Sequence, residues 1–314
     1  MAKENVKAIG MVRNLYFRRQ KGMFALQIES LEVHSQEIAV LMGPNGAGKS
    51  TLGLMFSGVL APEVGDVLVQ GYQATTSQAK RYLSYLPEGG FLFAGLSGKD
   101  NIDIFAKLAA VALGQEEGGL HDEVLAILKD LRFPFRYFHA PIKTYSEGMR
   151  RKIELALVLA PRVSLYILDM PTKGLDIEAK QQLFNRFRAL KARGGALLLS
   201  THVSEEAMII GDHFYFLAQG SIVARVTAEE LDRSLATVVV VEPAALLERN
   251  RVILEKKGGV VGREQILFFN RPFADVQRMI SELLGDSAER RRLRVSSRPP
   301  TLKDYYIFFT RGRT

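Results

Sequence analysis

A glycine-rich octapeptide, GPNGAGKS at Gly43–Ser50, is the feature that most constrains what this chain can fold into. It follows an apolar run, EIAVLM at 37–42, and it precedes STLGLMFSGVL at 50–60, whose apolar residues recur at helical spacing. The spacing G-x-x-x-x-G-K-S between a strand and a helix is typical of a loop whose backbone N–H groups surround phosphate oxygens. The alternative is a turn that only connects the strand to the helix, but strand, spacing and helix all agree with a phosphate-binding loop.

The residue types around this loop predict its chemistry. Lys49 is expected to contact the β- and γ-phosphates of a nucleotide, and Ser50 is expected to be a ligand of Mg²⁺. A second apolar run ends in Asp169, whose carboxylate is expected to orient a Mg²⁺-bound water; its alternative role is to cap the following turn. The loop residues predicted to bind the nucleotide are Gly43, Asn45, Gly46, Gly48, Lys49, Ser50 and Thr51.

The order of the apolar segments predicts the fold class. LYILD at 165–169 and ALLLST at 196–201 flank a helical segment at 177–195, whose apolar residues fall on one face. This strand-helix-strand alternation indicates a parallel sheet covered by helices, which is an α/β fold. The residues between these elements and the phosphate-binding loop have helical periodicity, and they predict an inserted helical subdomain at about 91–145.

The last third of the chain predicts a second, smaller domain. FYFLAQGSIVAR at 214–225 indicates a β-hairpin around Gln219-Gly220, which closes a first domain at 1–226. Residues 227–314 combine a TVVVV strand, a charged helix and a basic run at Arg290–Arg294, and they predict a small α+β accessory domain. The basic run is expected to be a solvated helix face, with an anionic lipid surface as the second interpretation and nucleic acid as the third.

Composition excludes several classes of protein. The chain has 314 residues, of which 47% are hydrophobic, and this suffices for one large domain and a smaller one. It has no cysteine, which excludes disulfides and thiolate metal sites. No apolar run approaches the ~18 residues of a membrane span, and the N-terminus lacks the apolar region of a signal peptide. We therefore expect a cytoplasmic protein, and its net charge of +8 favours an anionic partner.

Four further segments stand in a fixed order around the phosphate-binding loop. They are YLPEGG at 85–90, YSEGMRRKIELA at 145–156, GLD at 174–176 and LLLSTHVSEEA at 197–207. With GPNGAGKST, these segments resemble the motifs of the ATP-binding-cassette (ABC) family over residues 6–226. The tail at 299–313 resembles the end of the drug-export and polysaccharide-export ATPases, in which a short C-terminal domain follows the cassette. The resemblance implies an ABC nucleotide-binding domain of the P-loop NTPase class, with ATP and Mg²⁺ as its ligands.

The resemblance assigns roles to residues outside the phosphate-binding loop. His202 is expected to contact the γ-phosphate, with a purely structural histidine as the alternative. Glu88 stands where the family has the glutamine of its Q-loop, and it is a candidate for catalysis and, with Ser50 and Asp169, for metal binding. The side that faces a second cassette and its nucleotide is expected to include Ser146, Gly148 and Asp176.

Aromatic residues have two expected roles in such a cassette. One aromatic ring stacks on adenine, for which Tyr16 and Phe17 are both candidates, while Arg19 also aligns at this position. Phe91 and Phe93 follow the Q-loop, where the family docks a transmembrane permease. Packing in the core is an equal alternative for each of these two phenylalanines.

The sequence departs from the family at the residue after Asp169. The family has a glutamate there that positions and polarises the attacking water, and this chain has Met170. Methionine cannot accept a proton, and the loss of a general base costs on the order of 10² to 10⁴ in rate. The degenerate site is therefore expected to bind Mg-ATP and to hydrolyse it slowly. Two alternatives stay open, namely that Met170 simply packs under the sheet and that Glu88 replaces the base.

These expectations combine into a predicted function. The chain is expected to be the ATP-binding subunit of an ABC transporter, an exporter, bound to the inner face of the cell membrane. Its expected partners are a second, different cassette with a competent glutamate and a membrane permease, and no nucleic acid is expected. The alternative is a homodimeric, nucleotide-gated switch or scaffold that does not hydrolyse ATP, and a third interpretation is a DNA- or RNA-linked ATPase.

Overall fold

The computed structural model describes residues 8–18, 24–234, 237–285 and 290–311. The chain divides into two compact units, each described by itself. The first unit comprises Met1–Val203 and Ile209–Ile222, and the second comprises Ser204–Met208 and Val223–Thr314. The predicted domains begin at residue 1 and end at residue 314, which lie outside the described residues, and the predicted boundary at residue 226 stays a prediction.

The strands and helices up to residue 227 alternate along the chain as follows. The strands are β1 (Ala8–Arg18), β2 (Ala25–His34), β3 (Ile38–Met42), β4 (Val64–Val69), β5 (Tyr72–Gln73), β6 (Leu83–Leu86), β7 (Leu165–Asp169), β8 (Ala196–Thr201), β9 (His213–Ala218) and β10 (Ser221–Thr227). The helices are α1 (Lys49–Phe56), α2 (Ser77–Lys80), α3 (Gly98–Leu113), α4 (Glu117–Asp130), α5 (Glu147–Leu159), α6 (Ile177–Ala192) and α7 (Ser204–Ile210).

A six-stranded sheet with the order β10-β9-β3-β8-β7-β6 forms the centre of the fold. Strands β9, β3, β8, β7 and β6 run parallel, as the strand-helix-strand pattern predicts. Every residue of β3, β7 and β8 is buried, which is typical of a parallel sheet covered on both faces. The register places Met42 opposite Thr201 and Asp169 opposite Ser200. The carboxyl ends of β3, β7 and β8 therefore meet at one edge of the sheet.

A second sheet, with the antiparallel order β2-β1-β4-β5, shares an apolar core with the central sheet. The largest buried side chains of this core come from β1, β2, α1 and β9. They include Leu15, Leu26, Ile28, Leu52, Phe56 and Tyr215. Burial of these side chains fixes the position of α1 relative to the strands that precede and follow it.

The segment predicted to be helical contains α3 and α4, which pack on each other and on α5. Ser97 caps α3 and forms a capping box with Asp100, and the helix ends at Gly114 in the left-handed conformation. Two short 3₁₀ turns, Phe135–Tyr137 and Ile142–Thr144, lead from α4 into α5. The inserted helical subdomain is therefore confirmed.

Strands β9 and β10 form the predicted hairpin, joined by the two residues Gln219 and Gly220. Both residues have positive φ angles, of 48° and 81°. Positive φ at both central positions matches the right-handed twist of the strands in a two-residue hairpin, and it explains the glycine.

The second unit mixes strands and helices, as predicted for residues after 226. Its elements are α8 (Ala228–Ser234), β11 (Val238–Glu242), α9 (Arg251–Lys256), β12 (Gly259–Val261), β13 (Ile266–Phe269), α10 (Phe273–Leu284), β14 (Arg294–Arg298) and α11 (Leu302–Arg311), with 3₁₀ turns at Ala244–Asn250 and Arg290–Arg292. The four strands form an antiparallel sheet with the order β12-β13-β11-β14.

The basic run is not a helix face. Arg290–Arg292 form a 3₁₀ turn, and Arg294 begins β14, which pairs with β11. The expectation of a solvated helix face for this run was therefore wrong, because Arg294 and the β-branched Val295 belong to the strand that pairs with β11, where Val295 lies opposite Val241.

Candidate nucleotide site

The phosphate-binding loop, Gly43–Ser50, connects the carboxyl end of β3 to α1, as the sequence predicts. Gly48 precedes the helix with a φ of 112°, a conformation that favours glycine. A Cβ atom at this position would lie 2.6 Å from Leu26 Cδ1. No side chain caps α1, and its first turn carries no acidic residue. The first backbone N–H groups of α1 can therefore donate to an anion such as a phosphate.

Lys49 is buried at the start of α1, and its ammonium group points into the loop. Nζ donates hydrogen bonds to the carbonyl oxygens of Gly43, at 2.8 Å, and Pro44, at 3.0 Å. Burial lowers the pKa of Lys49, while the charges of Asp169 and Glu88 oppose this shift without cancelling it. A buried ammonium group that interacts with two carboxylates and sits among phosphate-binding amides is suited to hold a polyanion.

Asp169 ends β7 with a buried carboxylate that has a single hydrogen-bond partner within the described ranges. Oδ1 accepts a hydrogen bond from the hydroxyl group of Ser200 on the neighbouring strand β8. Among the described residues, no donor reaches the buried Oδ2 atom. A buried carboxylate oxygen without a partner is costly unless a cation or a water satisfies it. The unpartnered Oδ2 atom is compatible with the predicted role of Asp169 beside Mg²⁺, and Ser50 at the start of α1 is exposed; both metal-binding roles stay predictions.

Met170 follows Asp169 in the left-handed conformation, with a φ of 50°. Its side chain is buried, so the residue is only 7% exposed. Its backbone N–H donates to Ser200 O at 3.1 Å and to Ser200 Oγ at 3.2 Å, and its carbonyl oxygen accepts from Arg151 at 2.8 Å. The backbone is therefore held on both sides, and the side chain supplies no group that can accept a proton.

Glu88 lies in the loop after β6 and is paired with Lys173, a residue that none of the sequence motifs indicated. Lys173 Nζ lies 3.4 Å from Glu88 Oε1 and 3.6 Å from Oε1 of Glu147, the third residue of the signature segment YSEGMRRKIELA at 145–156. All three side chains are about half exposed, so this ion pairing is weak. The sequence feature that could have indicated this ion pair is the lysine in the PTKGLD segment. Lys173 competes with a cation for Glu88, and the role of Glu88 in metal binding stays a prediction.

His202 follows the last residue of β8, at the edge of the sheet that carries the phosphate-binding loop. The register of β8 with β3 places Thr201 opposite Met42, the residue before the loop. The His202 side chain is exposed. The predicted contact with the γ-phosphate is compatible with this position and stays a prediction.

The signature residues lie at the start of α5 and next to the GLD segment. Ser146 caps α5 by accepting a hydrogen bond from the Met149 N–H at 3.2 Å, and it is exposed. A Cβ atom on Gly148 would lie 2.4 Å from Gly174 O, so the two segments are in close contact. The structure thus groups the exposed serine, Gly148 and the GLD segment on one surface.

Asp176 has an intramolecular role in addition to its predicted one. It caps α6 by accepting a hydrogen bond from the Ala179 N–H at 2.8 Å, and its carboxylate pairs with Lys152 at 3.1 Å. The Ala179 N–H and Lys152 hold the pKa of Asp176 below its usual value against a smaller opposing effect of burial. Its contact with a second cassette stays a prediction.

The two candidates for adenine stacking have different surroundings on β1. Phe17 packs against the apolar core between the two sheets. The Tyr16 hydroxyl accepts hydrogen bonds from the Arg18 guanidinium at 2.6 and 3.0 Å, and this guanidinium lies 5.7 Å from the Tyr16 ring centroid. The role of either ring in adenine stacking stays a prediction, and Arg19 lies outside the described residues.

Phe91 and Phe93 form an aromatic cluster with Phe105 of α3. The Phe91 ring meets Phe105 edge-on at 5.0 Å, and Phe93 stacks on Phe105 at 5.6 Å. The buried amide of Asn101 binds the backbone N–H and carbonyl of Phe93, which fixes this segment. Phe93 is nevertheless 51% exposed, so it combines core packing with an accessible ring.

Comparisons with known proteins agree with this geometry. Residues 26–173 match the family model described as ABC transporter. The chain is 32% identical over 212 residues to the doxorubicin resistance ATP-binding protein DrrA of Mycobacterium tuberculosis, an alignment that covers 66% of this chain and 62% of that protein. It is 28% identical over 288 residues to the Nod factor export ATP-binding protein I of Rhizobium sp. (strain N33), with 90% of each protein covered.

A solved structure supports the same relationship. The "Structure of ATP binding subunit of ABC transporter" superposes with a TM-score of 0.64 and 28% identity, covering 72% of this chain and 92% of that one. The chain spans only 13% of another similar protein, the ATP-binding cassette sub-family A member 10 of Homo sapiens.

No helix in the described ranges is both long and apolar enough to cross a membrane.

The fold and the matches define the class of protein. The chain contains the nucleotide-binding domain fold of an ABC ATPase, an α/β fold with a helical subdomain. More particularly, it is related to the ATP-binding proteins of ABC transporters, of the kind that DrrA and the Nod factor export protein represent.

Proposed function

We propose that this chain is the ATP-binding subunit of an ABC transporter of the export type. The observation that supports the proposal most directly is that Lys49 and Asp169 lie near each other at one edge of the central sheet. The buried ammonium of Lys49 interacts with Asp169, whose Oδ2 atom has no partner among the described residues. Relatives named for drug resistance and for Nod factor export support the export class.

The residues of the loop would bind the phosphates of ATP. The backbone N–H groups at the start of α1 donate to phosphate oxygens, and Lys49 exchanges its bonds to Gly43 and Pro44 for bonds to the β- and γ-phosphates. Tyr16 stacks on the adenine ring. Ser50 would bind Mg²⁺ and Asp169 would orient a water on it, and the ion when bound would neutralise part of the phosphate charge.

Hydrolysis at this site would be slow because no residue at position 170 can take the proton of the attacking water. His202 contacts the γ-phosphate but does not replace that base. A second, different cassette with a competent glutamate completes the assembly. This chain's Ser146, Gly148 and Asp176 then face the nucleotide of that partner, where hydrolysis takes place.

The rest of the assembly follows from the same proposal. The exposed ring of Phe93, with Phe91 behind it, contributes to the surface that docks a membrane permease. The subunit is bound at the cytoplasmic face of the membrane through this contact. Nucleic acid is not a partner in this proposal.

A second candidate function is favoured by Met170 alone. Two copies of this chain would form a homodimer with two base-less sites, in which ATP binding closes the dimer and turnover is negligible. The two functions differ in what accompanies the chain. A transporter subunit sediments with membranes together with a polytopic protein, whereas a homodimeric switch does not need a membrane protein.

The nucleotide site is tested by replacing Lys49 with alanine. Charge-assisted hydrogen bonds contribute about 1.5 to 3 kcal/mol each. Because Lys49→Ala removes at least one such bond to the phosphates, it should weaken Mg-ATP binding by about tenfold or more. Titration of the full-length chain with a fluorescent ATP analogue measures the affinity. Lys107→Ala, on the exposed face of α3, is the matched control and should bind normally. Unchanged affinity in Lys49→Ala would end the assignment of the loop.

A further inference from the structure

A buried ion pair lies on α5, one turn after the signature residues. Arg151 is 3% exposed and Glu154 is 7% exposed. Arg151 Nη1 donates to Glu154 Oε2 at 3.0 Å. Two charges with so little exposure are costly to bury unless further hydrogen bonds satisfy them.

The Arg151 guanidinium also binds the end of the strand that carries Asp169. Nη2 donates to the carbonyl oxygen of Asp169 at 2.6 Å and to that of Met170 at 2.8 Å. Nη1 donates in addition to the carbonyl oxygen of Pro87, at 3.1 Å, in the loop that contains Glu88. A single planar group therefore contacts the strand end and the Q-loop at once.

Glu154 contacts the same loop from the other side. It accepts a hydrogen bond from the backbone N–H of Phe91, the first residue of the aromatic cluster. Gly90, before it, has a φ of 76°, and a Cβ atom there would lie 2.2 Å from Glu154 Oε1. The loop thus passes over Glu154 at a distance that only glycine permits.

These contacts are specific to a guanidinium in this place. Arg151 directs its two terminal NH₂ groups at four acceptor oxygens, and a lysine ammonium has three donors on a compact head that cannot span them. Fold stability alone does not require such a pair, because well-packed apolar residues often replace a buried ion pair without loss of stability. The arrangement therefore points to a role in geometry.

We propose that Arg151 and Glu154 are positioning residues that fix the 87–91 loop to the strand end at Asp169 and Met170, so that the permease-docking segment and the metal-binding carboxylate move together. The inference rests on the proposed ATP site. Asp169 is oriented on its side chain by Ser200 and on its backbone by Arg151. Groups that orient a metal ligand typically contribute about 10- to 100-fold to metal affinity.

The first test measures ATP affinity with Mg²⁺ and with EDTA, using the full-length chain. In Arg151→Lys, and in the double variant Arg151→Met with Glu154→Leu, the gain in affinity due to Mg²⁺ should fall by about tenfold. Affinity in EDTA should stay within about twofold, because the loop and Lys49 are untouched. The melting temperature of the double variant should stay close to that of the unmodified chain, since both charges are removed together.

A less buried ion pair elsewhere in the first unit controls for the general loss of an arginine–glutamate pair between packed segments. Arg186 of α6 pairs with Glu123 of α4, and neither residue contacts the 87–91 loop or Asp169 in the contacts described above. Arg186→Met with Glu123→Leu should leave the Mg²⁺-dependent gain unchanged. An equal loss in this control would show a general effect of stability and would overturn the positioning role.

The second test reports on the loop directly. The chain has no tryptophan, so Phe93→Trp introduces a single fluorophore on the docking segment. Mg-ATP should shift its emission in the otherwise unmodified chain, and the shift should disappear when Arg151→Met and Glu154→Leu are added. If the double variant keeps both the Mg²⁺-dependent gain and the emission shift, the pair only stabilises the fold and the inference is wrong. If the unmodified chain binds no ATP in EDTA or in Mg²⁺, the proposed function itself is wrong.

Discussion

Replacing Met170 with glutamate tests whether this nucleotide site lacks only its general base or has lost other parts of its catalytic geometry as well. The position has a φ of 50°, and its backbone is held by Ser200 and Arg151. Methionine and glutamate are both unbranched at Cβ and similar in length, so the backbone strain should be the same in the variant. Met170→Glu therefore changes mainly the charge and the ability to accept a proton.

The size of the effect follows from the surroundings of position 170. A positioned base is worth ~10² to 10⁴ in rate. The position is only 7% exposed and next to the Asp169 carboxylate, and both features raise the pKa of a new carboxyl group. A base with a raised pKa is well matched to neutral pH but is partly protonated below it. We expect turnover to rise by ~10² at pH 8 and by less at pH 6, with some loss of thermal stability from the buried charge.

The assay is phosphate release by the assembled complex, in which the catalytic glutamate of the partner cassette has been removed. Turnover then reports on this chain's own site, which closes only against the signature of the partner cassette. No rise in the complex, despite normal Mg-ATP affinity, would refute the reasoning that only the base is missing. Accelerated hydrolysis by the isolated chain would contradict the two-cassette site.

Three further changes test other parts of the structure. Ser146→Ala should lower the ATPase activity of the assembled complex by ~10² to 10³, the range for the loss of one electrostatic donor, and should leave the ATP affinity of the isolated chain nearly intact. An equal loss of affinity would contradict a role towards a partner. Gly48→Ala puts a Cβ atom 2.6 Å from Leu26 Cδ1 and should weaken both ATP binding and thermal stability, as measured by titration and calorimetry. Burial raises the pKa of Asp304, but hydrogen bonds from Arg298 and Thr301 outweigh this and hold it below 3.8. The stabilising effect of the Asp304 carboxylate is therefore present above pH 3.8 and is lost as the pH falls through the lowered pKa. Asp304→Asn should lower the free energy of unfolding by about 3 kcal/mol at pH 7 and should weaken its dependence on acid pH. Calorimetry from pH 2 to 7 measures both effects.

The sequence predicted the parts of the fold that local patterns determine. The strand before Gly43, the helix after it and the parallel neighbours β7 and β8 follow from apolar runs and helical spacing. The hairpin at Gln219-Gly220 follows from a two-residue turn that needs positive φ. These features were predictable because each depends on a few consecutive residues.

Contacts between distant segments were not predictable in the same way. A register irregularity in β1 between Arg13 and Tyr16 helps to decide which of Tyr16 and Phe17 faces the core, and strand alternation alone does not reveal it. Lys173 meets Glu88 across 85 positions of the chain, and Arg151 reaches Pro87 across 64. Such pairs arise only when tertiary packing brings the segments together, so the sequence shows their charges without their partners.

The structure around Met170 bears on which of the two candidate functions holds. Its backbone hydrogen bonds to Ser200 and Arg151 do not use the side chain, and Asp169 keeps its hydroxyl donor. The groups that we propose to bind phosphate, and those that hold the carboxylate, are thus in place without a base. Such a site can still use the binding energy of Mg-ATP to close a dimer, since closure depends on affinity for the closed state and not on turnover. In a heterodimer, hydrolysis at the partner's site then reopens the assembly, whereas a homodimer with two such sites reopens only as fast as ATP dissociates. The two rates to compare are the dissociation of ATP from the closed state and the ATPase cycle of the complex. If dissociation is much slower than the cycle, the result favours the heterodimer.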